Sequence, residues 1–214
     1  MKFQVFIHSI GDRGIRTALD AIEYAEEQNG PRERRDELIH IECLNEKDIP
    51  RFKQLGVVAC MQPRHCAPDI TGQWAKAVGP ARWKYAWAFR SLRDAGVVLA
   101  FSSDWNVAEM EPLIGIYTAL TRKGLDGKPE GGWVPAQTID LDTAIRAYTI
   151  NGAFANFVEQ NRGSITPGKY PTWSCCRMIC SKFQRRRSRT RILRGQWWEE
   201  KLCGANSRQT EYRR

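Results

Sequence analysis

Histidine is scarce in this chain, with three residues in 214: His8, His40 and His65. Long apolar runs are missing altogether. Nothing approaches the ~20 residues that a membrane-spanning helix requires. Nor does a charged start lead into an apolar core and a small-residue cleavage site, as in a secretory signal. These absences predict a cytoplasmic protein with no membrane partner. No Gly-x-Gly-x-x-Gly or Gly-x-x-x-x-Gly-Lys follows a strand-like run, which removes the phosphate cradle that a nucleotide-binding α/β domain would carry. Disulfide spacing is lacking too: seven cysteines, an odd number without a framework pattern, fit reduced thiols.

What is present divides unevenly. Hydrophobic residues at 42% and aromatics at 10% are ordinary globular usage. The net charge of +9 invites a nucleic-acid reading, yet residues 171–214 hold 12 of the 33 basic and 3 of the 24 acidic side chains. Residues 1–170 are therefore neutral overall. Two compositions meet near Tyr170.

In the first part, apolar runs alternate with amphipathic segments. Phe3 to Ile7, Glu37 to Cys43, Val57 to Gln62 and Val97 to Phe101 read as strands. Ile15, Ala18, Leu19, Ile22 and Ala25 recur at helical spacing up to Asn29-Gly30. Shorter helices are expected near 48–55, 85–95 and 112–121, with another over 141–157 broken at Gly152. A long Pro/Gly-interrupted stretch from 63 to 80 reads as an active-site loop. The alternation predicts an α/β fold with parallel strands and right-handed crossovers.

Apolar residues in each run lead to a residue with chemistry: Phe3 to Ile7 to His8, Leu38-Ile39 to His40, Val57 to Pro63 to His65, and Val97 to Ser103 to Asp104. Alone, each is a hydrogen-bonded strand-end residue, and Asp104 a turn cap. Parallel strands, however, deliver their carboxyl ends to one mouth. Imidazoles and a carboxylate gathered there suit a divalent metal, zinc above all. Bound metal lowers the pKa of water, and the carboxylate can take its proton. Cys60 and Cys66 read as packing and loop residues. Arg64 and Arg90 are candidates to steer a substrate carboxylate.

Several segments together, in order, carry a resemblance. They are His8-Ser9-Ile10-Gly11-Asp12-Arg13, Ile39-His40-Ile41-Glu42-Cys43, Asp48-Ile49-Pro50-Arg51-Phe52, Met61-Gln62-Pro63-Arg64-His65, Ser103-Asp104-Trp105, and Gly163-Ser164-Ile165-Thr166-Pro167-Gly168-Lys169. From Phe3 to Tyr170 the chain resembles the amidohydrolase 3 family of metal-dependent hydrolases. The resemblance implies the C-terminal half, strands five to eight, of a TIM-like (β/α)8 barrel. It implies His8 and His40 as metal ligands, and Asp104 as both metal ligand and catalytic proton carrier. It places Gln62, His65 and Trp105 in the substrate pocket. Family members hydrolyse C–N bonds of amides and formamides with a metal-activated water, so a small-molecule amide is the expected substrate.

The family's first-strand His-x-His pair and its mid-barrel metal ligand have no counterpart in these residues. Ile39 stands where the family has Glu before the sixth-strand His, and Ser102 where it has Gly before Ser-Asp. A complete barrel takes ~250 residues, and four strands leave two open edges. The expectation is a fragment that binds metal weakly and is inactive alone, with an N-terminal half or further copies of the chain as its partner.

After Tyr170 the family continues with Ala-Asp and an apolar strand, whereas this chain reads Pro171-Thr172-Trp173-Ser174-Cys175-Cys176-Arg177-Met178-Ile179. Shifted by one base, the codons these residues permit can spell Ala-Asp-Leu-Val-Val-Leu-Ser and then Asp-Leu-Phe. Trp197-Trp198-Glu199 forces Val-Gly in that frame. A one-base frameshift therefore accounts for the arginine burst, the loss of periodicity and Cys175, Cys176, Cys180 and Cys203. Residues 171–214 are expected to be a non-native, disordered tail. The alternative makes this tail a nucleic-acid-binding module on a non-catalytic α/β domain; the cysteine spacing is not that of a zinc finger.

Overall fold

The computed structural model describes residues 3–170; the expectations for 171–214 lie outside the described residues. Strands and helices alternate as β1 (Phe6–Ser9), α1 (Asp12–Asn29), β2 (Glu37–His40), α2 (Ile49–Gln54), β3 (Val58–Met61), α3 (Pro68–Val78), α4 (Phe89–Asp94) and β4 (Leu99–Phe101). Three helices follow, α5 (Pro112–Thr121), α6 (Leu141–Tyr148) and α7 (Ile150–Ala155). The strands form one sheet in the order β1-β2-β3-β4, and all three neighbouring pairs are parallel. The α/β expectation holds. Ser9 pairs with His40, and Met61 with Phe101, so the strand ends are brought level.

Alternation along the strands divides the side chains between two faces. Leu38, Ala59, Met61, Leu99 and Phe101 join the main core with Ile15, Leu19 and Ile22 of α1, Phe52 of α2, and Phe89 and Leu92 of α4. Val58 and Ala100 point the other way, into a small second cluster with Ala155 and Phe154. In α1 the buried residues Ile15, Ala18, Leu19 and Ile22 keep the helical spacing read from the sequence.

Three expectations are corrected. The second strand stops at His40, not Cys43, because His40 and Ile41 both adopt positive φ (78° and 52°), which no strand accommodates. The stretch 63–80 is no open loop: it holds a 3₁₀ turn at Pro63–Cys66 and helix α3. Pro63, Pro68 and Pro80 each stand in the first turn of a helical segment, where the missing N–H removes no helical hydrogen bond. The break between α6 and α7 falls at Thr149 (φ −127°, ψ −93°), with Gly152 inside α7. Tertiary anchoring accounts for the shift, since Asn151 Nδ2 donates to Leu99 O at 2.9 Å.

The entry side of the sheet is tied to the end of the described chain. Gln4 Nε2 donates to Arg35 O and to Ala155 O, both at 2.7 Å. Arg35, 8% exposed, pairs with Glu159 at 3.0 Å and lies over the Phe154 and Phe157 rings.

Candidate metal centre

At the opposite end of the sheet the three histidines form a row. The His8 and His40 ring centroids lie 4.5 Å apart at 73°; those of His40 and His65 lie 5.7 Å apart, nearly parallel at 17°. His8 comes from within β1, His40 from the last position of β2, and His65 from the 3₁₀ turn after β3. Level strand ends therefore gather residues that are 57 positions apart in sequence, as the alternating pattern implied.

His40 is the fixed point. Its Nδ1 lies 2.8 Å from Gln62 Oε1, and Gln62 Nε2 donates to Ser102 Oγ at 2.8 Å. With its N–H end on Ser102, Gln62 presents its carbonyl to His40, so Nδ1 carries the proton and Nε2 keeps its lone pair. Burial holds the His40 imidazole below its ordinary pKa, and neighbouring His8 acts in the same direction against Asp104 and Glu42. It is therefore neutral at pH 7, the form that ligates metals. Both His40 and Asp104 (φ 59°) have left-handed backbones, conformations that concentrate where function constrains the chain.

Glu42, two residues after His40, carries no role in the sequence reading. One ligand atom from each of His40, Glu42 and His65 lies within 4.8 Å of the others. His65 Nδ1 is 3.8 Å from Glu42 Oε1, and its Nε2 is 3.9 Å from Asp104 Oδ2. His65 Nε2 is buried without a hydrogen-bond partner. An orphaned imidazole nitrogen beside a second imidazole and a carboxylate fits a divalent metal.

The other expected residues divide. Gln62, expected in the pocket wall, is 1% exposed and its amide serves His40 and Ser102. Trp105 is 66% exposed. Arg64 is not free to steer a substrate: it donates to Asp69 at 2.8 Å and Glu109 at 2.9 Å. Arg90 donates to Thr138 O at 2.9 Å. The Cys60 thiol is pushed up to about 12 by burial and by Glu37 beside it, so it stays protonated and is a poor ligand.

A family model described as amidohydrolase family matches residues 1–170. Protein LONG AFTER FAR-RED 3 of Arabidopsis thaliana is 38% identical, over 78% of this chain and 28% of its own length. N-substituted formamide deformylase of Arthrobacter pascens is 27% identical, over 76% of this chain and 29% of its length. The crystal structure of an uncharacterized metal-dependent hydrolase from Pyrococcus horikoshii OT3 superposes with a TM-score of 0.66 at 25% identity, covering 78% of this chain and 32% of that one. The chain thus spans less than a third of the length of these curated relatives.

Proposed function

The chain belongs to the amidohydrolase family, and on that footing we propose that residues 1–170 are strands five to eight of a (β/α)8 barrel whose mouth is a hydrolytic metal site. His8, His40 and Asp104 are this chain's share of the ligands. The observation that carries the reading is His40, neutral, buried and clamped by Gln62, with His8 and Asp104 beside it.

A divalent metal, zinc by the donor chemistry, makes water nucleophilic near neutral pH when bound. Asp104, in the turn after β4 (Leu99–Phe101), would accept the proton that such a water gives up and pass it to a leaving nitrogen. Gln62 fixes the His40 tautomer, and Trp105 offers an apolar surface to substrate. The substrate class is a non-peptide amide or formamide; the name of the Arthrobacter pascens relative supports it. Because the His-x-His half of the site has no counterpart here, the chain alone is inactive and a separately supplied N-terminal half is its partner.

Residues 171–214 are proposed to be frame-shifted sequence, consistent with the family match ending at residue 170. Among the described residues no helix is long and apolar enough to cross a membrane; a cytoplasmic setting remains part of the proposal.

The test is zinc binding and hydrolysis by the full chain, alone and mixed with the N-terminal half of a family member. The mixture is expected to release amine from a formamide substrate while the chain alone does not. His8→Ala and His40→Ala should each weaken zinc binding. Unchanged zinc stoichiometry in both variants overturns the ligand assignment.

A further inference from the structure

We infer that His40, Glu42 and His65 form a second cation position, which this chain completes with its own residues and which competes with the His8–His40–Asp104 position. The inference shares only His40 with the proposed function. His40 has one lone pair, at Nε2, when Nδ1 serves Gln62, so it can serve one position at a time.

Burial separates the two sets. His40 and Glu42 are 6% and 8% exposed, and the His65 side chain is 11% exposed. Asp104, in contrast, has a side chain 37% exposed. Among the described residues no lysine or arginine lies within 4.0 Å of the Glu42 carboxylate; its one close basic neighbour is the His65 imidazole, at 3.8 Å and beyond hydrogen-bond reach. The orphaned His65 nitrogen is Nε2, while Glu42 faces Nδ1; a largely buried carboxylate with no hydrogen bond from a side chain among the described residues is costly unless it finds a counter-charge. A divalent cation held by one ligand atom each of His40, Glu42 and His65, which lie within 4.8 Å of one another, supplies that counter-charge. Two imidazoles and one carboxylate are also a zinc donor set that leaves a fourth position open. Ligands about 2.1 Å from a tetrahedral zinc stand about 3.4 Å apart, so the present spacing closes by small side-chain rotations. The His40–Glu42 pair comes from the turn where β2 is cut short by two left-handed residues, and His65 from the 3₁₀ turn beside it. The site thus needs no other strand.

The experiment uses the full 214-residue chain titrated with cobalt(II), read by the visible absorption of four-coordinate cobalt, and with zinc by competition against a chelating indicator. Glu42→Gln and His65→Ala are expected to weaken binding tenfold or more; His8→Ala and Asp104→Asn report separately on the ligands of the proposed function. Folding is followed by circular dichroism. If His65→Ala loses its fold, the isosteric Glu42→Gln decides the matter alone. Loss of binding in His8→Ala and Asp104→Asn with Glu42→Gln unchanged overturns the inference and supports the ligands of the proposed function. A folded parent that binds neither metal also overturns it.

Discussion

Gln62 and His40 meet at 2.8 Å across the ends of neighbouring strands, and the amide's other end is held by Ser102. The contact fixes which imidazole nitrogen is free, so it governs metal affinity whichever neighbours complete the site. Gln62→Leu removes the acceptor while keeping the volume. Zinc binding should weaken about 10–100-fold, the usual effect of removing such a support, as measured by indicator competition. An affinity equal to the parent's would detach Gln62 from the metal.

Glu37 carries a pH prediction. It is 3% exposed, its Oε1 has no hydrogen-bond partner, and burial raises its pKa above the ordinary value. A carboxyl raised in the folded state holds its proton longer than in the unfolded chain. Folding therefore loses stability as pH rises from the ordinary carboxylate range through the raised value, and does not regain it above. Glu37→Gln should melt higher than the parent at pH 7–8 by a few degrees, where about 1 kcal/mol corresponds to roughly 2–4 °C. The difference should vanish toward pH 4.

Arg64 predicts the opposite dependence. Its guanidinium holds the Asp69 carboxyl below its ordinary value of 3.8 and Glu109 below its ordinary 4.5. Lowered carboxylates stabilise the fold above their ordinary values, and that stabilisation is lost as pH falls through the lowered ones. Both carboxylates are partly exposed, at 39% and 44%, so solvent screens the pairing. Arg64→Met should cost about 1–2 kcal/mol at pH 7 in urea unfolding. The gap from the parent should narrow steadily as the pH drops below 4.

Arg122 is fully buried with carbonyls as its hydrogen-bond partners: Ala86 O at 2.7 Å, Trp133 O at 3.2 Å and Trp87 O at 3.4 Å. Its charge also lies over the Phe89 and Trp133 rings. Arg122→Ala strands those carbonyls, and a loss of about 3 kcal/mol or more is expected on denaturant unfolding. Arg122→Lys should recover less than half of it, because an ammonium cannot present the planar fork.

The tail is tested at the nucleotide level. Sequencing across the Tyr170 codon should give, one base out of frame, codons for Ala-Asp-Leu-Val-Val-Leu. Codons that spell something else would return the basic segment to candidacy as a nucleic-acid module.

The convergence of the three histidines was legible because each follows an apolar run and parallel topology turns that local punctuation into a shared mouth, although the second strand ends at His40 and not at Cys43. Helix α1 was legible from Ile15, Ala18, Leu19 and Ile22 alone. Glu42 was not, since its place beside His65 depends on the paired left-handed residues His40 and Ile41, which β-branched Ile41 gives no reason to expect. The helical character of 63–80 was hidden by its prolines, which break helices in the middle but begin them readily. Arg64 looked free because Glu109, one of its partners, lies 45 residues away.

The hydrogen bond from Gln4 to the carbonyl of Ala155 closes a span of 151 residues, which sets an order on biosynthesis. The first strand cannot be clasped at its entry end until helix α7 has left the ribosome, roughly 8–30 s later at about 5–20 residues per second. During that interval Phe3, Val5 and Phe6, still 45–66% exposed in the finished fold, are offered to whatever chaperone or neighbouring nascent chain arrives first.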